Sequence, residues 1–307
     1  MSGIVEDEAR FVLEAMKIPS ATMGWNLDAW QYTPPRRRSP YPVIVMAHGL
    51  SANKLMSLRA YAESFTERGY ACVLFDYRRW GASDGTPRHC LFVSEQLEDY
   101  RTVIKYCRQK PEFDPNRLLV WGTSFSGGHC ITLASEAHLN IRAAIAQCPF
   151  TGKSLPMPFS TTVIKTVGLA IWDVVNQAFD GRPVYIPAVA IPGNVGVMTA
   201  PGSVEGMLAI VPTPSDYPNE MSASSIFELP FYNPTASAAS LSCPLLLIGL
   251  ECDNLCPFSG VEDIAKLTKH AEVVRISGDH FEAYPGQVHH KTSLQAQLEF
   301  LQRHVPG

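Results

Sequence analysis

The chain alternates short apolar runs with longer amphipathic ones. The stretches 42–48 (PVIVMAH), 71–77 (ACVLFDY), 118–122 (LLVWG), 141–147 (IRAAIAQ), 244–250 (PLLLIGL) and 271–276 (AEVVRI) are almost continuously apolar. Strands covered on both faces of a parallel sheet have this pattern. Helical spacing fills the gaps, at 55–68, 91–108, 128–136, 261–269 and 291–303. In the second of these Val93, Leu97, Tyr100, Ile104 and Cys107 recur at alternating intervals of four and three residues, one face of a helix. The alternation predicts an α/β fold with a doubly wound, mostly parallel sheet. Two strands between about residues 11 and 33 are expected to lead it, antiparallel at its edge.

The alternation stops between residues 150 and 242. Eleven of the 24 prolines fall in this stretch, around one convincing helix at 161–179. It is too long for a plain connection and too poor in charge for a solvated linker. We read it as a cap inserted into the core, which then comprises residues 1–149 and 243–307.

Composition narrows the function classes. Of 307 residues 46% are hydrophobic and 18% charged, with a net charge of −4, which suits a large buried core. Arg36-Arg37-Arg38 is the one basic block, so no nucleic-acid partner is expected. The start, MSGIVEDEAR, is acidic where an export signal is basic, and 161–179 is broken by Lys165 and Asp173. The expectation is a cytoplasmic protein with no membrane partner. Eight cysteines lie mostly in apolar runs, as free buried thiols do. Cys252 and Cys256 have no second ligand pair nearby, so no metal is expected.

The segment 118–128, LLVWGTSFSGG, carries the first chemistry. A buried strand runs into a glycine- and serine-rich turn and at once into a helix. Such a turn strains its apex residue and crowds the positions two before and two after it, which must therefore be small. Gly122 and Ser126 meet that need around Ser124. A serine hydroxyl is a weak nucleophile and needs a base, which in turn needs an orienting carboxylate. Asp253 lies just past strand 244–250, and His280 just past strand 271–276. Glu251 is the alternative acid, although alternation along the strand turns it to the other face. The N–H groups of Leu50, in His48-Gly49-Leu50-Ser51, and of Phe125 are the expected donors for an oxyanion.

The segments HGLS (48–51), DYRRWGASDG (76–85), WGTSFSGG (121–128), LECDNLCP (250–257) and GDHF (278–281) resemble those of the α/β-hydrolase superfamily. Within it the chain is similar to dienelactone-hydrolase-like esterases, prolyl-peptidase-like hydrolases and fungal polyketide transferases or thioesterases. Ser126 departs from the glycine usual at its position. The resemblance implies a serine hydrolase that works without a cofactor, through an acyl-serine intermediate. Its substrate would be an ester or thioester with a hydrophobic acyl group, as in secondary metabolism. Trp172, Phe159 and Met198 of the cap are candidates to line the acyl pocket. The alternatives are an acyltransferase using the same three residues, a lyase or cyclase with His280 as base, and a non-catalytic ligand-binding protein.

Overall fold

The computed structural model describes residues 10–35, 39–153, 160–213 and 217–307. The basic block Arg36-Arg37-Arg38 and Phe159 lie outside them. Ten strands and eight helices follow in chain order among these residues. They are β1 (Val12–Pro19), β2 (Asn26–Thr33), β3 (Tyr41–Ala47), α1 (Leu58–Glu67), β4 (Ala71–Phe75), α2 (Val93–Arg108), β5 (Phe113–Thr123), α3 (Phe125–Ala134), β6 (Ala143–Gln147), α4 (Thr161–Ala178), β7 (Tyr185–Ile186), α5 (Ser203–Ile210), β8 (Met221–Ser222), α6 (Pro234–Ser237), β9 (Leu245–Leu250), α7 (Phe258–Leu267), β10 (Ala271–Ile276) and α8 (His290–His304).

Eight strands form one sheet in the order β1-β2-β4-β3-β5-β6-β9-β10. The pairs β1/β2 and β2/β4 are antiparallel and the rest parallel, as the alternation of apolar runs requires. Period-two alternation sends neighbouring residues of one strand to opposite layers. Val43, Val45 and Ala47 of β3 pack in the cluster that holds Tyr100 of α2, Ile131 of α3 and Ile264 of α7. Ile44 and Met46 pack instead with Phe65 of α1 and Phe300 of α8. Both faces are thus covered, and the ends of the parallel strands share one rim.

Helix α3 begins at Phe125, three residues ahead of the expected 128, because Ser124 turns the chain straight from strand into helix. The stretch between β6 and β9 holds α4, α5, α6 and the small β7/β8 pair, with its own buried cluster of Ala170, Ile186 and Ala223. Asp173, which interrupts the apolar run of α4, is buried and accepts the N–H groups of Val184 (2.7 Å) and Ser224 (2.8 Å). It ties the helix to the loops beneath it. Among the described residues no helix is long and apolar enough to cross a membrane.

Candidate active site

Ser124 occupies the tip between β5 and α3 with φ 56° and ψ −121°, a conformation that L-residues hold only under strain. Its N–H donates to the Gln147 carbonyl at 2.8 Å. The turn is tight enough that a Cβ on Gly122 would lie 2.3 Å from the Ser126 carbonyl oxygen. Position 126 tolerates serine because its hydroxyl is absorbed behind the turn. It accepts from the Tyr77 hydroxyl at 3.1 Å and donates to Tyr100 at 3.0 Å, whose own proton goes to the Trp121 carbonyl.

Asp253 and His280 come to the same rim from the ends of β9 and β10. His280 Nδ1–H donates to Asp253 Oδ2 at 2.7 Å, and Asp253 Oδ1 accepts the backbone N–H groups of Leu255 (2.9 Å) and Cys256 (2.7 Å). Both side chains are buried. Glu251 points away and pairs with Arg275 at 2.8 Å, so the carboxylate at the imidazole is that of Asp253. Burial alone would push the His280 pKa down. The Asp253 carboxylate, with the Cys256 sulfur beside it, outweighs that and holds the pKa well above the ordinary imidazole value.

Ser124 and His280 line one cavity of ≈ 20 Å³, together with Gly49 and Leu50 from the end of β3 and Met198, Met207 and Ile210 from the cap. That is room for about one water. No hydrogen bond joins the serine hydroxyl to the imidazole among the described residues. The thiol of Cys256, buried among them, interacts with both. Sequence reasoning weighed this residue only with Cys252 as half of a zinc site, and nothing in LECDNLCP placed its thiol beside the serine.

Gly49 passes so close that a Cβ there would lie 3.0 Å from Ser124 Cβ. This brings the Gly49–Leu50 backbone alongside the hydroxyl. Phe125 is the first residue of α3, so its N–H is one of those with no intrahelical acceptor. Asp76 pins the loop that carries Leu50, accepting the N–H of Lys54 at 2.7 Å and its ammonium at 2.7 Å. His48 is buried with Nδ1 3.0 Å from the Gly49 carbonyl, and burial lowers its pKa. His129 lies under the turn between Tyr232 (2.7 Å) and Gln96 (2.9 Å). Of the cap residues named as pocket candidates Met198 lines the cavity, while Trp172 is a correction: it stands 58% exposed on the outer side of α4.

One cluster has the donor types of a metal site: Cys148, Asp253 and His280, with ligand atoms within 4.8 Å of one another. Asp253 Oδ2 and His280 Nδ1 are already joined to each other, and burial holds the Cys148 thiol far above its ordinary pKa. The set fits a neutral, packed thiol behind a hydrogen-bonded pair better than a metal. Cys252, the other half of the cysteine pair weighed for zinc, is exposed.

Residues 24–183 match the family model of the X-Pro dipeptidyl-peptidases (S15 family). The quorum-quenching protein AidA of Acinetobacter baumannii (strain MDR-ZJ06) is 38% identical over 267 residues, 86% of this chain and 87% of the relative. The polyketide transferase grgF of a Penicillium species is 26% identical, over 92% of this chain and 94% of the relative. The crystal structure of the α/β hydrolase GrgF from Penicillium sp. sh18 superposes with a TM-score of 0.81 at 23% identity, covering 95% of this chain and 99% of that one.

Proposed function

For a chain that belongs to the X-Pro dipeptidyl-peptidase (S15) family of the α/β-hydrolase superfamily, we propose a serine hydrolase that cleaves esters or thioesters of hydrophobic acyl groups. The observation that carries this reading is the strained Ser124 sharing a cavity with His280, whose other ring nitrogen is held by Asp253.

In the reaction Ser124 Oγ attacks the acyl carbonyl carbon while His280 Nε2 takes its proton. The carbonyl oxygen becomes an oxyanion facing the N–H groups of Leu50 and Phe125. Collapse breaks the bond to the leaving alcohol or thiol, which departs with the proton from His280 and leaves acyl-Ser124. A water then repeats the sequence, with His280 again as base, and releases the carboxylic acid. The serine and imidazole approach hydrogen-bond distance when substrate binds, as such pairs do in many unliganded sites.

The apolar walls support an acyl group rather than a peptide amino terminus. Met56, Met207, Ile210 and Phe281 line the cavity, and none of its described lining residues is Asp or Glu. Since ≈ 20 Å³ holds no acyl chain, the flexible methionines and the cap must move aside on binding.

The small cavity beneath the cap also favours a second reading, acyl transfer to an alcohol or amine acceptor that enters in place of water. The name of grgF, a polyketide transferase, is in keeping with it. The deciding experiment is Ser124→Ala assayed on a small aryl ester, with a fluorophosphonate adduct mapped on the wild type. Loss of turnover and an adduct on the Ser124 peptide are expected. Turnover near the wild-type rate in Ser124→Ala overturns the assignment. Product analysis with and without an added acceptor separates hydrolysis from transfer.

A further inference from the structure

Between the end of β3 and the start of α1 the backbone enters the left-handed region at two non-glycine residues, Ser51 (φ 56°) and Ser57 (φ 64°). Left-handed backbone favours glycine, so both positions are strained. Both hydroxyls bond to the cap. Ser51 Oγ is 3.1 Å from the Tyr217 hydroxyl, and Ser57 Oγ donates to the Ile210 carbonyl at 3.1 Å. Ser51 is also the third residue of a turn closed by the Ala52 N–H on the Gly49 carbonyl (3.3 Å), and the second residue of that turn is Leu50. Leu50 lines the catalytic cavity, Ser51 lines a second cleft of ≈ 380 Å³ beside Pro218, and Ala52 lines both. Tyr217 therefore reaches the turn from behind. Burial pushes its phenol up to about 12, so the group is a neutral hydroxyl.

We infer that the cap props the oxyanion turn. With Tyr217 seated on Ser51, the strained turn holds the Leu50 N–H where the oxyanion forms, so Tyr217 is a positioning residue for the reaction. The inference rests on the serine-hydrolase reading above and adds to it a route by which cap closure assembles the site. The turn runs in contact with Ser124, so relaxation at Ser51 moves a donor relative to the nucleophile. Oxyanion donors act only when correctly placed.

The test uses full-length Ser124→Ala, Tyr217→Phe, Ser51→Ala, Ser51→Gly and the double variant Tyr217→Phe/Ser51→Ala, with active sites counted by fluorophosphonate. Removing an oxyanion donor costs about a hundredfold or more, so misplacing one is expected to lower kcat per site about tenfold in Tyr217→Phe and in Ser51→Ala. KM stays within about twofold, and affinity for an aryl boronic acid, a mimic of the tetrahedral state, falls in step with kcat. The double variant is no slower than Ser51→Ala. Ser51→Gly keeps several-fold more activity than Ser51→Ala, because glycine holds the left-handed turn unpropped. A merely structural contact would lower melting temperature or site count without this glycine–alanine split. If Ser124→Ala is inactive and Tyr217→Phe turns over like wild type, the inference fails. It fails equally if Ser51→Gly is no better than Ser51→Ala, or if the two single losses multiply. An active Ser124→Ala sinks the underlying reading instead, and is seen separately.

Discussion

The sheet rim and the cap are built from similarly apolar sequence, yet they use it in opposite ways. At the rim, β3, β5, β6 and β9 are covered on both faces, and Thr123, Asp253 and His280 are each held by a named partner. In the cap, α4 turns Thr166, Ala170 and Asp173 inward and leaves Ile164, Ile171, Trp172 and Val174 about half exposed. Burial on both faces leaves one arrangement of a strand, so the rim is rigid enough to hold three side chains from three distant segments. The 18-residue helix α4 is held instead along one narrow seam, at Thr166, Ala170 and Asp173. In the proposed reaction, catalytic geometry comes from the first region and access from the second.

The sharpest way to break this division is at the rim. Asp253→Asn keeps the shape of the side chain but lets its amide face His280 with the wrong donor, favouring the wrong imidazole tautomer. The loss expected in kcat is about ten-thousandfold with the fold intact, as circular dichroism would report. Glu251→Gln, which only breaks an exposed pair with Arg275, should leave kcat unchanged. Reversed effects would move the orienting acid to residue 251. The wild-type rate should also fall on acidification, because His280 must be neutral to accept a proton. With its pKa held above the ordinary value by Asp253, that fall begins at a higher pH than a free imidazole would give. A kcat/KM profile still flat below pH 6 would contradict the raised pKa.

The same contrast explains how much was legible in the sequence. Ser124 and Asp253 follow fully apolar runs and His280 follows 271–276, a run interrupted by Glu272 and Arg275, so the strand ends marked all three. Helix α3 was harder to delimit. Gly127 and Gly128 depress helix propensity, but the sharp turn obliges the helix to begin at Phe125. In the cap, periodicity identified a helix without saying which of two apolar faces turns inward, so Trp172 stood as a candidate for the pocket. Tyr217 gave no signal because it sits among prolines with no repeating pattern, and its importance exists only through Ser51, far away in sequence.

Where the two regions meet, a pH titration sharpens the comparison with a smaller effect. His129 of α3 lies against Tyr232 from the cap stretch, and burial, with help from His48 and Arg101, lowers its pKa to about 3. In the unfolded chain it titrates near 6.5. Between these values the unfolded state binds the extra proton, so stability falls as pH drops from about 6.5 towards 3. Melting temperatures of wild type and His129→Gln should therefore converge as pH is lowered from 7 to 4. Parallel curves would mean that the imidazole is not held neutral.

The smallest effect is expected on the outer face of α4. Ile164, Ile171 and Trp172 are each more than half exposed, so replacing any of them by serine removes little buried area. The expected change in stability is within about 0.5 kcal/mol, with aryl-ester turnover unaltered. Ile145 of β6, fully enclosed between the helical layers, should cost about 2–5 kcal/mol as Ile145→Ala. The pair measures the contrast directly, since both positions carry the same side chain type in elements of similar apolarity. A drop of several degrees in melting temperature from Ile171→Ser alone would show that the α4 face is covered in solution, and the contrast with the rim would disappear.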